Sequence, residues 1–408
     1  MPASPPMMQP APPCFGRSVP PSVLDVTDFY SDSASGGVKT YLHAKAAYFE
    51  RMGVRHAIVV PGERTEVTEI GATRVYRVKG PTVALSRAYR VMLSAQELGR
   101  VLREERPDVI EVGSPFIVPH LVRRAGGDRC ATIGFYHADL VRTFAEPYVP
   151  SRVAAPVRVL ARMAARQLVR RVYGGFDATV AASPFVAADL RTLGVRNVHT
   201  IGLGVDLHTF RPLDGSPPID RTSLGVAPEV PLGIYTGRFC AEKRLDVILA
   251  GHERIPLAKR PHLLLVGGGP NAGRLRQLAA ERPRLSVADY VHDRQALSRL
   301  LASADFYVAP GPGETFGLSI AEAMACGLPV VAVRRGAAPD RLVGSGVGEF
   351  YEHGDHASAA AALVTMADRL SPQLRVQARA HAERSFDWDR TFADLLALYR
   401  DLVAVRHR

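Results

Sequence analysis

The chain has 408 residues, enough for two or three domains with a sizeable core. Hydrophobic residues make up 47% and charged residues 22%, which excludes a largely disordered chain, a collagen-like repeat and a disulfide scaffold. Lys plus Arg number 51 against 40 Asp plus Glu, a net charge of +11, which favours anionic partners such as phosphates, acidic lipid or nucleic acid without choosing among them.

Met1–Pro21 is proline-rich, with neither a basic start nor an apolar core, and reads as a disordered lead-in and not a secretory signal. A first strand is predicted at Val23–Val26, followed by Ser35-Gly36-Gly37-Val38 and a helix over Lys39–Met52. Further strands are predicted at His56–Val60, Asp108–Val112, Ala131–His137, Ala178–Ala182 and Val198–Gly202. Pro212–Arg221 holds three prolines, a glycine and a serine, the composition of a linker. Beyond it, Leu232–Thr236, His262–Val266, Leu285–Ala288, Phe306–Ala309 and Val330–Val333 read as strands, and Arg390–Val403 as a terminal helix. Helical periodicity fills most of the gaps, so the fold class is α/β with two Rossmann-like, doubly wound parallel sheets. The expected domains are 22–212 and 213–385, with 386–408 as a helix returning to the first. Cys14, Cys130, Cys240 and Cys326 are too far apart for a CxxC site and suit a reducing compartment. No apolar run reaches the roughly 18–20 residues that span a bilayer.

Parallel sheets bind ligands where strand ends lead into helix starts. Glu314-Thr315-Phe316-Gly317-Leu318 follows the strand ending at Ala309 and a Gly-Pro-Gly turn, and its helix start would present N–H groups to an anion. Glu322, about two turns beyond Glu314 on that helix, would point to the same cleft, and two carboxylates there suit a sugar and a ribose. Gly237-Arg238 follows Leu232–Thr236, and Arg238 and Lys243 would converge on a diphosphate; the alternative is a surface cluster with Glu242 and Asp246. Gly267-Gly268-Gly269 and Gly36-Gly37 allow close backbone approach, or are plain turns. His137 ends a strand on the ligand side. No GxxxxGK[ST] is present, so a P-loop NTPase is unsupported.

Taken together, Gly36-Gly37-Val38, Gly204-Val205-Asp206, Arg238 with Lys243, the Glu314/Glu322 pair and Cys326-Gly327-Leu328-Pro329-Val330 resemble the retaining GT-B glycosyltransferases of family four, across nearly the whole chain. The resemblance implies two domains facing across a cleft, with the second binding a nucleotide sugar and the first an acceptor. By similarity, Arg238 and Lys243 neutralise the departing diphosphate, Glu314 holds sugar hydroxyls, Phe316, Gly317 and Leu318 offer backbone N–H groups, and Glu322 holds the ribose. His137 contacts the donor sugar, Gly36 and Gly37 sit beside the diphosphate, Gly237 and Gly268 line the donor site, and Val291 lies near the base. The scheme requires no metal or other cofactor. Asp387-Trp388-Asp389 is the one Asp-x-Asp and is assigned a structural role. Gly336-Ala337-Ala338-Pro339-Asp340 departs from a family pattern of Gly and Glu near the donor, which leaves donor preference open there.

The Pro310–Leu318 string looks most like bacterial mannosyltransferases using GDP-mannose, with UDP-glucose as the second donor and a lipid-linked or glycan acceptor. Pro156–Tyr173 is predicted as a helix whose Arg158, Arg162, Arg166 and Arg170 share an arc of roughly 120°, opposite Val157, Leu160, Ala164, Leu168 and Val172. It would either lie on an anionic membrane at the cytoplasmic face or pack its apolar side into the core. A nucleic-acid-binding protein is disfavoured by 7% aromatics without an interleaved basic platform. A catalytically silent nucleotide-sugar sensor stays open.

Overall fold

The structure is a computed structural model that describes residues 20–31, 36–83, 86–137, 155–213, 219–224 and 226–406. Residues 1–19 of the lead-in, 214–218 of the Pro212–Arg221 linker, Ser35 and Asp139 lie outside the described residues.

The first sheet contains β1 (Val23–Val26), β2 (His56–Gly62), β3 (Glu66–Ile70), β4 (Thr73–Lys79), β7 (Val109–Val112), β8 (Ala131–Tyr136), β9 (Ala178–Ala181) and β10 (Val198–Thr200). A separate small ribbon is formed by β5 (Thr82–Val83) and β6 (Ser86–Arg90). Strand order is β10-β9-β8-β7-β1-β2-β4-β3, parallel except for β3, which pairs antiparallel with β4 at the edge. Around this sheet run α1 (Gly37–Arg51), α2 (Ala95–Glu105), α3 (Val118–Arg124), α4 (Ala155–Tyr173) and α5 (Pro184–Thr192).

The second sheet is all parallel, ordered β13-β12-β11-β14-β15-β16, from β11 (Leu232–Arg238), β12 (His262–Gly268), β13 (Leu285–Ala288), β14 (Phe306–Ala309), β15 (Val330–Val333) and β16 (Gly348–Tyr351). Its six strands follow the 3-2-1-4-5-6 order of a dinucleotide-binding sheet, so the switch point lies between β11 and β14. The helices are α6 (Leu245–Arg254), α7 (Ala272–Glu281), α8 (Arg294–Ala302), α9 (Leu318–Ala325), α10 (Ala338–Leu342), α11 (His356–Arg369) and α12 (Pro372–Ser385). Buried on both faces, β14 and β15 read Phe-Tyr-Val-Ala and Val-Val-Ala-Val, the unbroken apolar runs that a covered parallel strand requires.

The last helix, α13 (Trp388–Arg406), leaves the second domain and packs on α1 and β8 of the first. Trp388 stacks on Phe392, which also meets Tyr41 and Phe49. A buried polar network backs these rings. Lys45 Nζ lies 2.8 Å from Asp25 and 3.2 Å from Glu111, and Tyr41 donates to Glu111 at 2.7 Å. Tyr399 of α13 donates to the second Glu111 oxygen. Each buried charge therefore has a partner, the condition for tolerating charge in a core. Asp387 accepts the Asp389 N–H at 3.0 Å and Asp389 pairs with Arg51, so the Asp-x-Asp is occupied at the start of α13.

In α4, Val169, Val172 and Tyr173 are buried, but Val157, Leu160 and Leu168 of the predicted apolar face stand exposed beside exposed Arg162, Arg166 and Arg170. Packing that whole face into the core is thereby corrected: only the C-terminal end of the helix reaches the first domain's interior. The Arg158 side chain lies outside the described residues.

Candidate active site

A cavity of about 680 Å³ opens between the two sheets, at the switch point of the second. Its floor is built by strand ends. At the end of β11, Gly237 and Gly267 of the neighbouring strand approach so closely that a Cβ on Gly267 would stand 1.9 Å from the Gly237 carbonyl oxygen. Only glycine fits there, and Arg238 follows at the rim.

Beyond β14, the chain turns through Pro310–Gly313 to Glu314 and enters α9 at Gly317, whose φ of 84° is left-handed. A Cβ there would also meet Ile320 at 2.9 Å. This kink corrects the expectation that Glu314 and Glu322 share one helix. Glu314 sits in the loop four residues before α9, while Glu322 lies within it, 6% exposed. Across the cavity, α1 begins at Gly37, and a Cβ there would touch Leu318 at 3.9 Å. The N-termini of α1 and α9 thus face one another, and neither has a side-chain cap among the described residues. Both present unsatisfied N–H groups and a positive dipole end to the same space.

Three ion pairs line the walls. Lys243 Nζ donates to Glu314 Oε1 at 2.5 Å, both side chains being 22% exposed. Burial pulls the Lys243 pKa down, but the charge and hydrogen bond of Glu314 outweigh it and the net shift is upward. Arg238 pairs with Glu242 on the outer rim. Arg294, at the start of α8, donates to Glu322 Oε1 at 3.0 Å and lies over the Phe210 ring. Burial raises the Glu322 pKa and Arg294 works against it. His137 stacks on Phe135 at 4.1 Å, and burial drives its pKa down to about 3, so its imidazole is neutral at pH 7. Thr315 Oγ1 donates to the His137 carbonyl at 2.8 Å, tying the two domains together inside the site.

Two family models match the chain: the one described as Glycosyltransferase Family 4 over residues 35–209, and Glycosyl transferases group 1 over residues 231–369. A GDP-mannose-dependent alpha-(1-6)-phosphatidylinositol dimannoside mannosyltransferase of Mycobacterium tuberculosis is 30% identical, covering 92% of this chain and 95% of the relative. The chain belongs to the family 4 glycosyltransferases. A GDP-mannose-dependent alpha-mannosyltransferase of Corynebacterium glutamicum is 26% identical over 86% of this chain and 82% of its own length. Among solved structures, sucrose-phosphate synthase from Thermosynechococcus elongatus superposes with a TM-score of 0.74 at 19% identity, covering 94% of this chain and all of that one, which supports the GT-B fold.

In this glycosyltransferase the cavity wall includes His137, Arg238, Lys243, Glu314, Gly36, Gly37, Gly237, Val291, Phe316, Gly317, Leu318 and Glu322. Gly268 is not on that wall; its carbonyl accepts the Phe239 N–H at 2.7 Å, a turn contact. Arg238 pairs with Glu242, both of them on the cavity wall, Lys243 pairs with Glu314 instead, and Asp246 pairs with Arg244. Phe316 is buried, with its ring under Arg341, so its side chain supports the loop. Ala337–Asp340 do not line the cavity either: the Asp340 carboxylate takes the Phe185 N–H of the first domain at 2.8 Å. The sequence reading missed Arg294 and the bond from Thr315 to His137. Arg294 follows the N-cap Asp293 two strands over from Arg238, a strand-to-helix junction of the kind already flagged elsewhere.

Proposed function

We propose that the chain transfers mannose, with retention, from GDP-mannose to a hydroxyl of a lipid-linked or glycan acceptor. The observation that carries this reading is the pair of helix N-termini, uncapped by any side chain among the described residues, that meet in an interdomain cavity with the Lys243–Glu314 pair. The mannose donor is favoured by relatives named for GDP-mannose over most of the chain; UDP-glucose is the second donor. The domain of residues 213–385 would hold the donor, and that of 22–212 the acceptor.

In this proposal the anomeric C–O bond breaks as the acceptor oxygen adds to the same face, and the acceptor proton passes to the leaving phosphate. Negative charge grows on that phosphate. Arg238, Lys243 and the N–H groups of Phe316–Leu318 and of the α1 start at Gly37 are aimed where it develops. Glu314 accepts from sugar hydroxyls, Glu322 from the ribose, Val291 packs near the base, and neutral His137 supplies a hydrogen bond without a competing charge.

Thermal-shift titration against GDP, UDP, ADP, GDP-mannose and UDP-glucose tests the donor. A ligand that binds only the native state raises the melting temperature. A selective response to GDP and GDP-mannose is expected. A UDP-selective response replaces the donor, and silence toward all five removes the reading.

The acceptor half has its own supporting observation: Val157, Leu160, Met163 and Leu168 are exposed on α4 beside exposed arginines. No helix among the described residues is long and apolar enough to cross a membrane. We propose that α4 rests on the anionic cytoplasmic surface where a lipid acceptor resides. Leu160→Glu with Arg162→Glu should abolish co-sedimentation with phosphatidylinositol-containing vesicles; unchanged binding refutes it.

A further inference from the structure

Among the described residues the two domains are joined by the returning helix α13, by Arg379 of α12, which donates to the Leu207 and Phe210 carbonyls, and by two hydrogen bonds next to the cavity. One is the Thr315 bond to the His137 carbonyl. The other joins the first turn of α5 to α10: the Phe185 N–H donates to Asp340 Oδ2 at 2.8 Å. The N-cap Ser183 covers the Val186 N–H at 3.3 Å, and the Phe185 N–H goes to Asp340. The bond is charge-assisted and sits at the positive end of a nine-residue helix.

Short α10 is fastened to the loop that lines the cavity. The Ala337 N–H donates to the Glu314 carbonyl at 3.0 Å, and the Arg341 guanidinium lies 4.7 Å from the centre of the Phe316 ring. Gly336 sits so tightly that a Cβ would stand 2.6 Å from the Pro312 carbonyl oxygen. The loop therefore cannot shift while α10 stays still. Arg341 itself is nearly buried, its Nε without a hydrogen-bond partner, so its hold comes from the Phe316 and Phe386 rings.

We propose that Asp340 is a positioning residue that couples the Glu314–Phe316 loop to closure of the two domains. When Asp340 holds α5, the first domain is drawn against the loop, and the Thr315–His137 bond brings the two sides of the site into register. When the clasp opens, α5 is released, and His137 moves away from the Glu314 loop with the first domain. The inference rests on the donor reading of that loop for its catalytic consequence, but not for its structural one.

The test uses the full chain in three forms: wild type, Asp340→Ala and Asp340→Asn. The asparagine keeps an oxygen that accepts the Phe185 N–H; the alanine does not. Small-angle scattering without ligand should give a larger radius of gyration for Asp340→Ala and a wild-type value for Asp340→Asn. Turnover of GDP-mannose should fall about tenfold in kcat for Asp340→Ala, as expected for one charge-assisted bond, and recover largely in Asp340→Asn, with the GDP dissociation constant within twofold of wild type in both. Asp340 is half-buried at the domain rim, and the melting temperature of each variant verifies folding. A wild-type radius in Asp340→Ala overturns the clasp whatever the substrate proves to be, and so does an asparagine variant as open as the alanine. If no nucleotide sugar is turned over, the donor reading fails while the scattering comparison still decides the clasp.

Discussion

Replacing Lys243 by alanine removes an ammonium that reaches the loop before α9. Its Nζ stands 2.5 Å from Glu314 Oε1, with each side chain 22% exposed. A fully buried pair broken on one side costs about 3–5 kcal/mol, and an exposed one about 0–1, so this partly screened pair should cost about 1–2 kcal/mol of stability. The catalytic loss should be larger. On the proposed roles, the variant loses a donor aimed at the leaving phosphate, and Glu314 is left as an unpaired negative charge near it. Removing one such preorganised donor lowers kcat by about 10²–10³. The assay is nucleoside diphosphate release at saturating GDP-mannose, with the melting temperature recorded on the same preparation. Lys243→Arg, which keeps the charge on a different geometry, should fall between the two. A Lys243→Ala rate within threefold of wild type, in a folded variant, refutes the assignment of Lys243 to the leaving group.

Glu322→Ala should raise the dissociation constant for GDP about tenfold, since it removes a charged acceptor, while kcat at saturating donor changes little; an unchanged constant by titration calorimetry removes the ribose assignment. Burial holds His137 at about 3 and His252 and His262 at about 4, so on unfolding each takes up a proton below its ordinary pKa near 6.5. The unfolded state then binds more protons, and stability falls as the pH drops from about 6.5 toward 4. Glu111 and Asp28, raised by burial to about 7 and about 6, act in the opposite sense, losing their contribution as the pH rises through those values. The melting temperature should nonetheless fall on acidification, and His252→Gln, which can still donate to the Pro261 carbonyl, should flatten the slope; an unaltered slope contradicts this account. Tyr399→Phe leaves Glu111 one donor short and should cost about 1–2 kcal/mol in denaturant unfolding, without altering the nucleotide response.

The strands that carry the site were legible because each is covered on both faces and therefore apolar without interruption, as in Leu263–Val266 and Val330–Val333. The edge hairpin was not. In β3, Glu66-Val-Thr-Glu-Ile70 is largely exposed, and in β4 arginines interrupt Val75, Tyr76 and Val78, so a search for apolar runs passes over both. Residue types pointed to Lys243, Glu314 and Glu322, which all line the cavity, but pairing lies beyond local sequence: Arg294 stands 28 residues from Glu322, and only the ordering of β13 beside β12 brings α8 to the cavity. The α4 periodicity announced an amphipathic helix correctly. It could not say that the core reaches only Val169, Val172 and Tyr173, because that depends on where β9 and α5 end.

The charge arrangement constrains how a dianionic diphosphate could be held. Arg238, Lys243 and Arg294 each face a carboxylate of their own, so the cavity walls carry little net charge from these three pairs. Attraction in the ground state then falls on groups of the cavity wall that face no carboxylate among the described residues: the starts of α1 and α9, each equivalent to roughly half a positive charge, and the Arg335 guanidinium. On the proposed roles, a sugar whose hydroxyls donate to Glu314 competes with Lys243 for the same oxygen. The ammonium released by that exchange lies where the phosphate is about to gain charge. Lys243 would thus contribute little to binding an isolated nucleotide and much to the transition state, which is the partition that raises kcat and not affinity alone. A Lys243→Met, Glu314→Gln double variant, which removes both charges and leaves neither unpaired, should accordingly bind GDP within about threefold of wild type while losing its turnover, and a larger loss of GDP affinity would show that the pair is already open before the sugar arrives.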